Sequence, residues 1–374
     1  MTGPTPEDSD SGLARVMDGR IWDDFCDGLR AAGSAVLAGP VPEDPLDRAE
    51  GWRYLTRLLR ASLNFFLEVP DPEAPAFTRA VDETIKMGMD NPDNVYLAAP
   101  VKGDLTYRLT GTRGTVHYLG FGSQAGGYAK TGSLDTTGYL DASDLVLGPD
   151  GRFEIIASTD RPPGADNWLP MSPETRMIQV RQTRVDHDDE TLAQVKIERI
   201  DGPANPRPVT PERIDKALGE VAAFVQLTSQ MFAEWTEDFR QHPNTLPRFD
   251  PDKALAAGGD PNIAYYHGWF ELDDDEALVI DLDPPACDYW NVQLANYWLE
   301  SLDYRYHPVH LNQGTAEYQP DGTVRVVVAG SDPGVPNWLD TCGHRHGTMC
   351  VRWIGATEHP QPRTSVVKLS ELQS

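Results

Sequence analysis

The chain has 374 residues, enough for two or three domains at roughly 100–200 residues each. Its 58 acidic and 32 basic side chains leave a formal net charge of −26, a single-sign field that repels nucleic-acid phosphates and anionic lipid. Hydrophobic residues at 40% and charged ones at 24% exclude a disordered chain, and 32 Gly with 31 Pro favour a turn-rich β protein over a helical bundle.

The first ten residues are acidic and polar, unlike a secretory or transit signal, and no apolar run reaches the ~18 residues of a membrane helix. A cytoplasmic protein is expected, with no nucleic-acid or membrane partner. Cys26, Cys287, Cys342 and Cys350 are scattered without a C-x-x-C pair, which argues against a disulfide framework or a zinc knot.

Residues 1–90 read as a helical segment. Asp10 or Ser11 is a candidate cap for a helix through Ile21, Phe25 and Leu29, and Trp52, Leu55, Leu59, Leu63 and Phe66 fall on one helical face. After Asp90-Asn91-Pro92-Asp93-Asn94 the pattern turns to short β-like runs, giving a first β unit over 91–205. A connecting helix is predicted within 206–245, from Pro211 to about Arg240, with Thr210 as N-cap. Its stripe of Leu218, Val221, Val225, Met231, Phe232 and Trp235 is expected to pack in the core. A second, jelly-roll-like β unit occupies 246–374.

An internal repeat links the two units. Asp150-Gly151, Gly164-Ala165-Asp166-Asn167-Trp168-Leu169 and Arg181 recur as Asp321-Gly322, Gly334-Val335-Pro336-Asn337-Trp338-Leu339 and Arg352 at nearly equal spacings. The expected fold is therefore mainly β with helices: two tandem β-sandwich or jelly-roll-like units, an N-terminal helical segment, and a long helix between the units. The Asn is expected to cap backbone groups and the Trp to anchor its loop. Arg181 and Arg352 are expected to brace these same loops.

Several stretches carry a family likeness: Asp90 to Asn94 with Tyr96, Trp290-Asn291-x-Gln293-Leu294, Glu300 to Arg305, His310-x-Asn312, and above all Asn337-Trp338-Leu339-Asp340-Thr341. Together they resemble the actinobacterial branch of the family called domain of unknown function 1214, often joined elsewhere to domain of unknown function 1254. The resemblance spans most of 90–355. It implies a jelly-roll-like C-terminal domain after a second β domain, and no established reaction.

The Gly-rich run 120–127 lacks the helix and the Lys or acidic partner of a phosphate cradle, and reads as a bulge or tight loop. No Gly-x-Ser-x-Gly elbow is present, which disfavours an α/β-hydrolase triad. Ionisable residues gather after position 300. Asp303 and Arg305 lie two apart and form an ion pair or a substrate clamp. His307 and His310 would share a metal only if the chain turns at Pro308. Asp340, His344 and His346 unite groups suited to acid–base work, and the corresponding stretch of the first unit, 170–175, has no His. This asymmetry marks the second unit as the candidate active unit. Cys342 beside His344 is a further candidate nucleophile.

The leading functional expectation is a cofactor-independent enzyme of hydrolase or lyase type, acting on a small polar or amphipathic metabolite in a cleft of the second unit. His310 and His344 would handle protons, Asp303 would position substrate or His310, and Asp340 would orient His344. Arg305, Asn312, Trp338 and Arg352 would bind substrate. The alternatives are a non-catalytic carbohydrate- or metabolite-binding protein, and a divalent-metal enzyme using His310, His344 and Asp340. A small molecule is the expected partner, and homo-oligomerisation is left open.

Overall fold

The computed structural model describes residues 11–68, 71–128, 133–203 and 205–372. The candidate cap Asp10 lies outside them. Ser11 caps α1 (Gly12–Asp18), its hydroxyl accepting from the Ala14 N–H at 3.3 Å. Helix α2 (Arg20–Ala32) buries Ile21 and Phe25. Helix α3 (Pro45–Leu63) starts on Asp44, whose carboxylate accepts from the N–H groups of Leu46 and Asp47.

The face that α3 buries differs from the one its apolar spacing predicts. Tyr54, Leu58 and Ala61 are buried beside Asp47, Glu50 and Gly51, while Trp52 is 45% exposed. The cause lies at Gly51, where a Cβ would stand 2.5 Å from the Trp298 ring. The missing side chain lets that indole lie against the helix, and this close approach sets the helix's rotation.

Helix α4 (Pro211–Arg240) forms as the sequence predicts, with Thr210 accepting from the Arg213 N–H at 3.4 Å. It buries Val221, Val225, Phe232 and Phe239, along with Thr228, Ser229 and Thr236, whereas Met231 and Trp235 are half-buried. It packs along α2 and α3. Among the described residues, no helix is long and apolar enough to cross a membrane.

The remainder forms two tandem β-sandwich units, as the repeat implies. The first contains β1 (Thr78–Val81), β2 (Asn94–Pro100), β3 (Tyr107–Thr112), β4 (Tyr118–Gly127), β5 (Ser133–Asp141), β6 (Arg152–Ser158), β7 (Trp168–Pro170), β8 (Thr175–Thr183) and β9 (Gln194–Arg199). The second contains β10 (Ile263–Glu271), β11 (Glu276–Leu282), β12 (Tyr289–Ala295), β13 (His310–Asn312), β14 (Val324–Ala329), β15 (Trp338–Asp340), β16 (His346–Ile354) and β17 (Arg363–Lys368). Sheet orders β2-β8-β4-β5 and β7-β6-β3-β9 recur as β10-β16-β12-β13 and β15-β14-β11-β17. Among the described strands, β1 alone has no counterpart. It adds an edge to the first unit upstream of residue 91, where that unit was expected to begin, because four residues before a polar turn show no period. The Gly-rich run lies inside β4 and continues into the β4–β5 hairpin, not into a helix.

The repeated residues do matching work. Asn167 Nδ2 donates to the carbonyls of Val146 and Glu154 at 3.0 and 2.9 Å, and Asn337 Nδ2 to those of Glu317 and Arg325 at 2.8 and 3.0 Å. Trp168 and Trp338 donate through Nε1 to the carbonyls of Ser158 and Ala329. Both Asn–Trp loops thus close over the sheet that contains β6 or β14.

The arginines do something else. Alternation sends Val292, Leu294, Met349 and Val351 into the sandwich core. The opposite face of that sheet carries Tyr265, Asn291, Gln293 and Arg352, all partly or fully buried. This face meets the first unit's equivalent face. Arg352 donates to the carbonyl of Met89, and Arg181 to that of Gly258. Tyr289 OH donates to Asp93 and Tyr118 OH to Asp260, at 2.5 and 2.9 Å. Each unit therefore holds the segment that precedes the other's first repeated strand, β2 or β10, and the arginines brace the junction of the units, not the Asn–Trp loops.

Candidate active site

The ionisable residues singled out in the second unit sit where the loop 296–309, between β12 and β13, meets the turn 341–345, between β15 and β16. Two outside elements cover them: α3, and the segment 82–93 that precedes β2. Pro92 and an Asx turn shape this segment, with the Asp93 N–H donating to Asn91 Oδ1 at 3.0 Å.

His310 opens β13. Its Nε2 lies 3.2 Å from Asp93 Oδ1, and the same oxygen receives His187 Nε2 at 2.9 Å. Asn312 Nδ2 and Tyr289 OH occupy the other oxygen at 2.9 and 2.5 Å. Burial pushes the Asp93 carboxyl up, but the hydrogen bonds from His187 and His310, the charge of His310 and the Tyr289 hydroxyl outweigh it, so its pKa lies well below the usual carboxylate range. Facing a carboxylate, His310 Nε2 acts as donor. Its Nδ1 is buried and has no hydrogen-bond partner among the described residues. The Tyr304 ring meets the imidazole edge-on at 6.0 Å, and Lys86 Nζ lies 4.6 Å over that same ring. Lys86 donates to the carbonyls of Ser301 and Leu302 at 2.7 and 2.9 Å, and burial lowers its pKa.

His344 is buried with acceptors on both sides. Nδ1 is 2.8 Å from the Thr341 carbonyl and Nε2 is 2.9 Å from Glu50 Oε2. Both ring nitrogens must donate, so the ring is held as imidazolium. Burial works against this, yet the bond to Glu50 and its charge, with Thr341, raise the pKa. Glu50 also accepts from Asn296 Nδ2 at 2.9 Å and Arg53 Nη2 at 2.8 Å. Asn296 in turn donates to Glu300, which is paired with Arg57. Burial raises the pKa of Glu300 despite that pairing. His346 rests on Asp47 at 2.6 Å and stacks on Trp269.

The orienting roles expected of Asp340 and Asp303 belong to other carboxylates. Asp340 accepts from His307 Nδ1 at 2.9 Å and from the Cys342 N–H at 2.8 Å, while Glu50 holds His344. Asp303 forms a two-pronged pair with Arg305, both bonds at 2.8 Å, which brings its pKa down to about 2, and Asp93 holds His310. The physical reason is tertiary: α3 and the segment 82–93 carry their own acids onto the site. His307 and His310 likewise diverge, one to Asp340 and one to Asp93.

Asp303, Asp340 and Glu50 all act on the Cys342 thiol. With burial as the main cause, they push its pKa up to about 12, which disfavours Cys342 as a nucleophile. Of the substrate-binding candidates, Arg305 is on the surface with Asp303. Asn312 spends its amide on Asp93, the Val185 carbonyl and the N–H groups of Gly314 and Thr315. Trp338 packs against Val327 and Ala329 on the far sheet, and Arg352 is locked at the junction of the units.

Glu50, Lys86 and Asp93 lie outside the stretches whose composition points to site chemistry. One signal was available for Glu50: Asp47, Glu50, Tyr54 and Leu58 recur at helical spacing, placing acids on the face that carries Tyr54 and Leu58.

No family model matches the chain, and no curated protein matches it. Among solved structures, an uncharacterized protein from Burkholderia cenocepacia is 49% identical over 96% of this chain and 99% of its own, with a TM-score of 0.93. The VPA0106 protein from Vibrio parahaemolyticus is 13% identical over 91% and 100% of the two chains, with a TM-score of 0.49. The chain belongs to the same family as the Burkholderia cenocepacia protein.

Proposed function

We infer that the protein is a cofactor-independent enzyme of hydrolase or lyase type, with His310 as its proton acceptor and Asp93 as the residue that positions it. The observation carrying this reading is the state of the His310 ring. Nε2 is committed to a buried carboxylate, and Nδ1 is buried with no hydrogen-bond partner among the described residues. Leaving a buried acceptor unpaired costs about 1–3 kcal/mol, a cost offset in function if that atom takes a substrate proton. The carboxylate fixes the ring's orientation and stabilises the imidazolium formed. Lys86, over the Tyr304 ring that meets His310, supplies positive charge nearby for an anionic substrate group. His344, held between the Thr341 carbonyl and Glu50, is a fixed cation and not a proton carrier.

The substrate is a small polar or amphipathic metabolite, and the acidic chain acts in the cytoplasm without nucleic-acid or membrane partners. We also propose that its family is the actinobacterial branch of domain of unknown function 1214. The residues from Asn337 to Thr341 and from Asp90 to Asn94 support this assignment.

The experiment is untargeted metabolite depletion by the purified chain, its His310→Gln variant and its Asp93→Asn variant. Depletion by the native chain, slowed roughly 10²–10⁴-fold in His310→Gln with unchanged circular dichroism, supports the reading. Equal turnover by the variant sinks it. A second reading, metabolite binding without turnover, is favoured by a groove of about 810 Å³ on the first unit, lined by Thr110, Arg152, Glu154, Asp166 and Lys196 with no His. Saturable binding without product would select it.

A further inference from the structure

We propose that His307, Asp340 and Cys342 form a zinc-type metal site with one open coordination position, on the rim of the second β unit. This is independent of the His310 reading, since His310 is not a ligand.

One ligand atom from each residue lies within 4.8 Å of the other two. Around a tetrahedral zinc with bonds of 2.0–2.3 Å, ligand atoms stand ~3.3–3.8 Å apart, so small side-chain rotations suffice. The backbone between the two loops is already tied, because the Asp340 N–H donates to the Pro308 carbonyl at 2.8 Å. Asp340 is pre-oriented: Oδ1 is held by the Cys342 N–H at 2.8 Å, and Oδ2 faces His307 Nδ1 at 2.9 Å. The turn after Asp340 brings Cys342 Sγ back to 3.8 Å from the Asp340 carbonyl oxygen.

The donor set names the metal class. An imidazole, a carboxylate and a thiolate suit zinc or cobalt, not magnesium or calcium, which prefer oxygen alone. Three protein ligands beside a half-exposed His307 leave the fourth position to solvent. On binding, the metal takes the Cys342 sulfur and releases its proton to solvent, while His307 ligates through Nδ1 with its proton on Nε2.

Neither half of the site belongs to the shared framework. By strand equivalence Asp340 corresponds to Pro170 and Cys342 to Ser172. The loop bearing His307 spans residues 296–309, whereas β4 and β5 are joined by residues 128–132. The second unit thus carries donors that the repeated fold does not need.

Cobalt(II) titration of the purified full chain tests this. The expected result is a thiolate-to-cobalt charge-transfer band with tetrahedral visible bands, saturating at one equivalent and displaced by zinc. Cys342→Ser, His307→Ala and Asp340→Ala should each remove or strongly weaken it, with circular dichroism unchanged. Cys26→Ser should keep it. No band in the native chain overturns the proposal. So does a band that survives Cys342→Ser, or one lost in Cys342→Ser but undiminished in both His307→Ala and Asp340→Ala.

Discussion

Arg181 and Arg352 occupy equivalent strands of the two units, and each donates a hydrogen bond to a backbone carbonyl of the segment leading into the other unit, Gly258 and Met89 respectively. The pairing extends around them: Tyr96 lies opposite Arg181 in the sheet, as Tyr265 does opposite Arg352. The internal repeat is therefore a device for joining two sandwiches face to face through polar side chains. This junction also brings Asp93, from one unit, to His310, on the other.

Removing Arg352 tests that junction. Arg352→Ala leaves the Met89 carbonyl and the side-chain oxygens of Asn291 and Gln293 buried without their donor. Hydrogen bonds to a charged group are worth about 1.5–3 kcal/mol each, so urea unfolding should show a loss of about 3 kcal/mol or more. A loss under about 1 kcal/mol would mean that the two faces do not depend on the clamp.

Gly51 offers a second test. A methyl group there meets the Trp298 ring at 2.5 Å and Val36 at 2.9 Å, both buried. Gly51→Ala should destabilise by about 1–3 kcal/mol through overpacking. Gly39→Ala, where a Cβ meets nothing within 4 Å, should stay within about 0.5 kcal/mol. Equal behaviour of the two variants would contradict the docking of α3 on Trp298.

The sandwich units were legible because their landmarks are local. Asp-Gly turns, Asn–Trp loops and alternating strands each have short sequence signatures, and Gly151 and Gly322 adopt the positive φ that such turns need. Helix α4 was legible from Thr210-Pro211 and its stripe, although Trp235 proved half-buried. The site was legible only in part. His310, His344 and Asp340 stand out as unshared ionisable residues, but the acids that engage the two histidines arrive from α3 and from residue 93. Local periodicity carries no record of which distant element docks where. Asn291 and Gln293 mislead in the same way: alternation with Val292 and Leu294 suggests a solvent face, and the other unit covers it.

The Glu50–His344 pair predicts a pH window. The His344 pKa is raised above its ordinary 6.5, so its contribution is fully present below that value and is lost as pH rises through the folded pKa. The Glu50 pKa is lowered from 4.5, so its contribution is present above that value and is lost as pH falls through the folded pKa. The stability difference between the native chain and His344→Gln should therefore be largest between pH 4.5 and 6.5 and shrink on either side. A difference that grows steadily toward alkaline pH would contradict an imidazolium at this position.

The measurement closest to the central claim is the tautomer of His310, read from long-range nitrogen–proton correlations of labelled protein under conditions where the ring is neutral, with His310→Gln for assignment. The expected result is a proton on Nε2, facing Asp93, and a bare Nδ1 able to accept a substrate proton. A ring protonated at Nδ1, with the lone pair on Nε2, would contradict it, because that nitrogen could not donate to Asp93 and the ring would have no free base to offer.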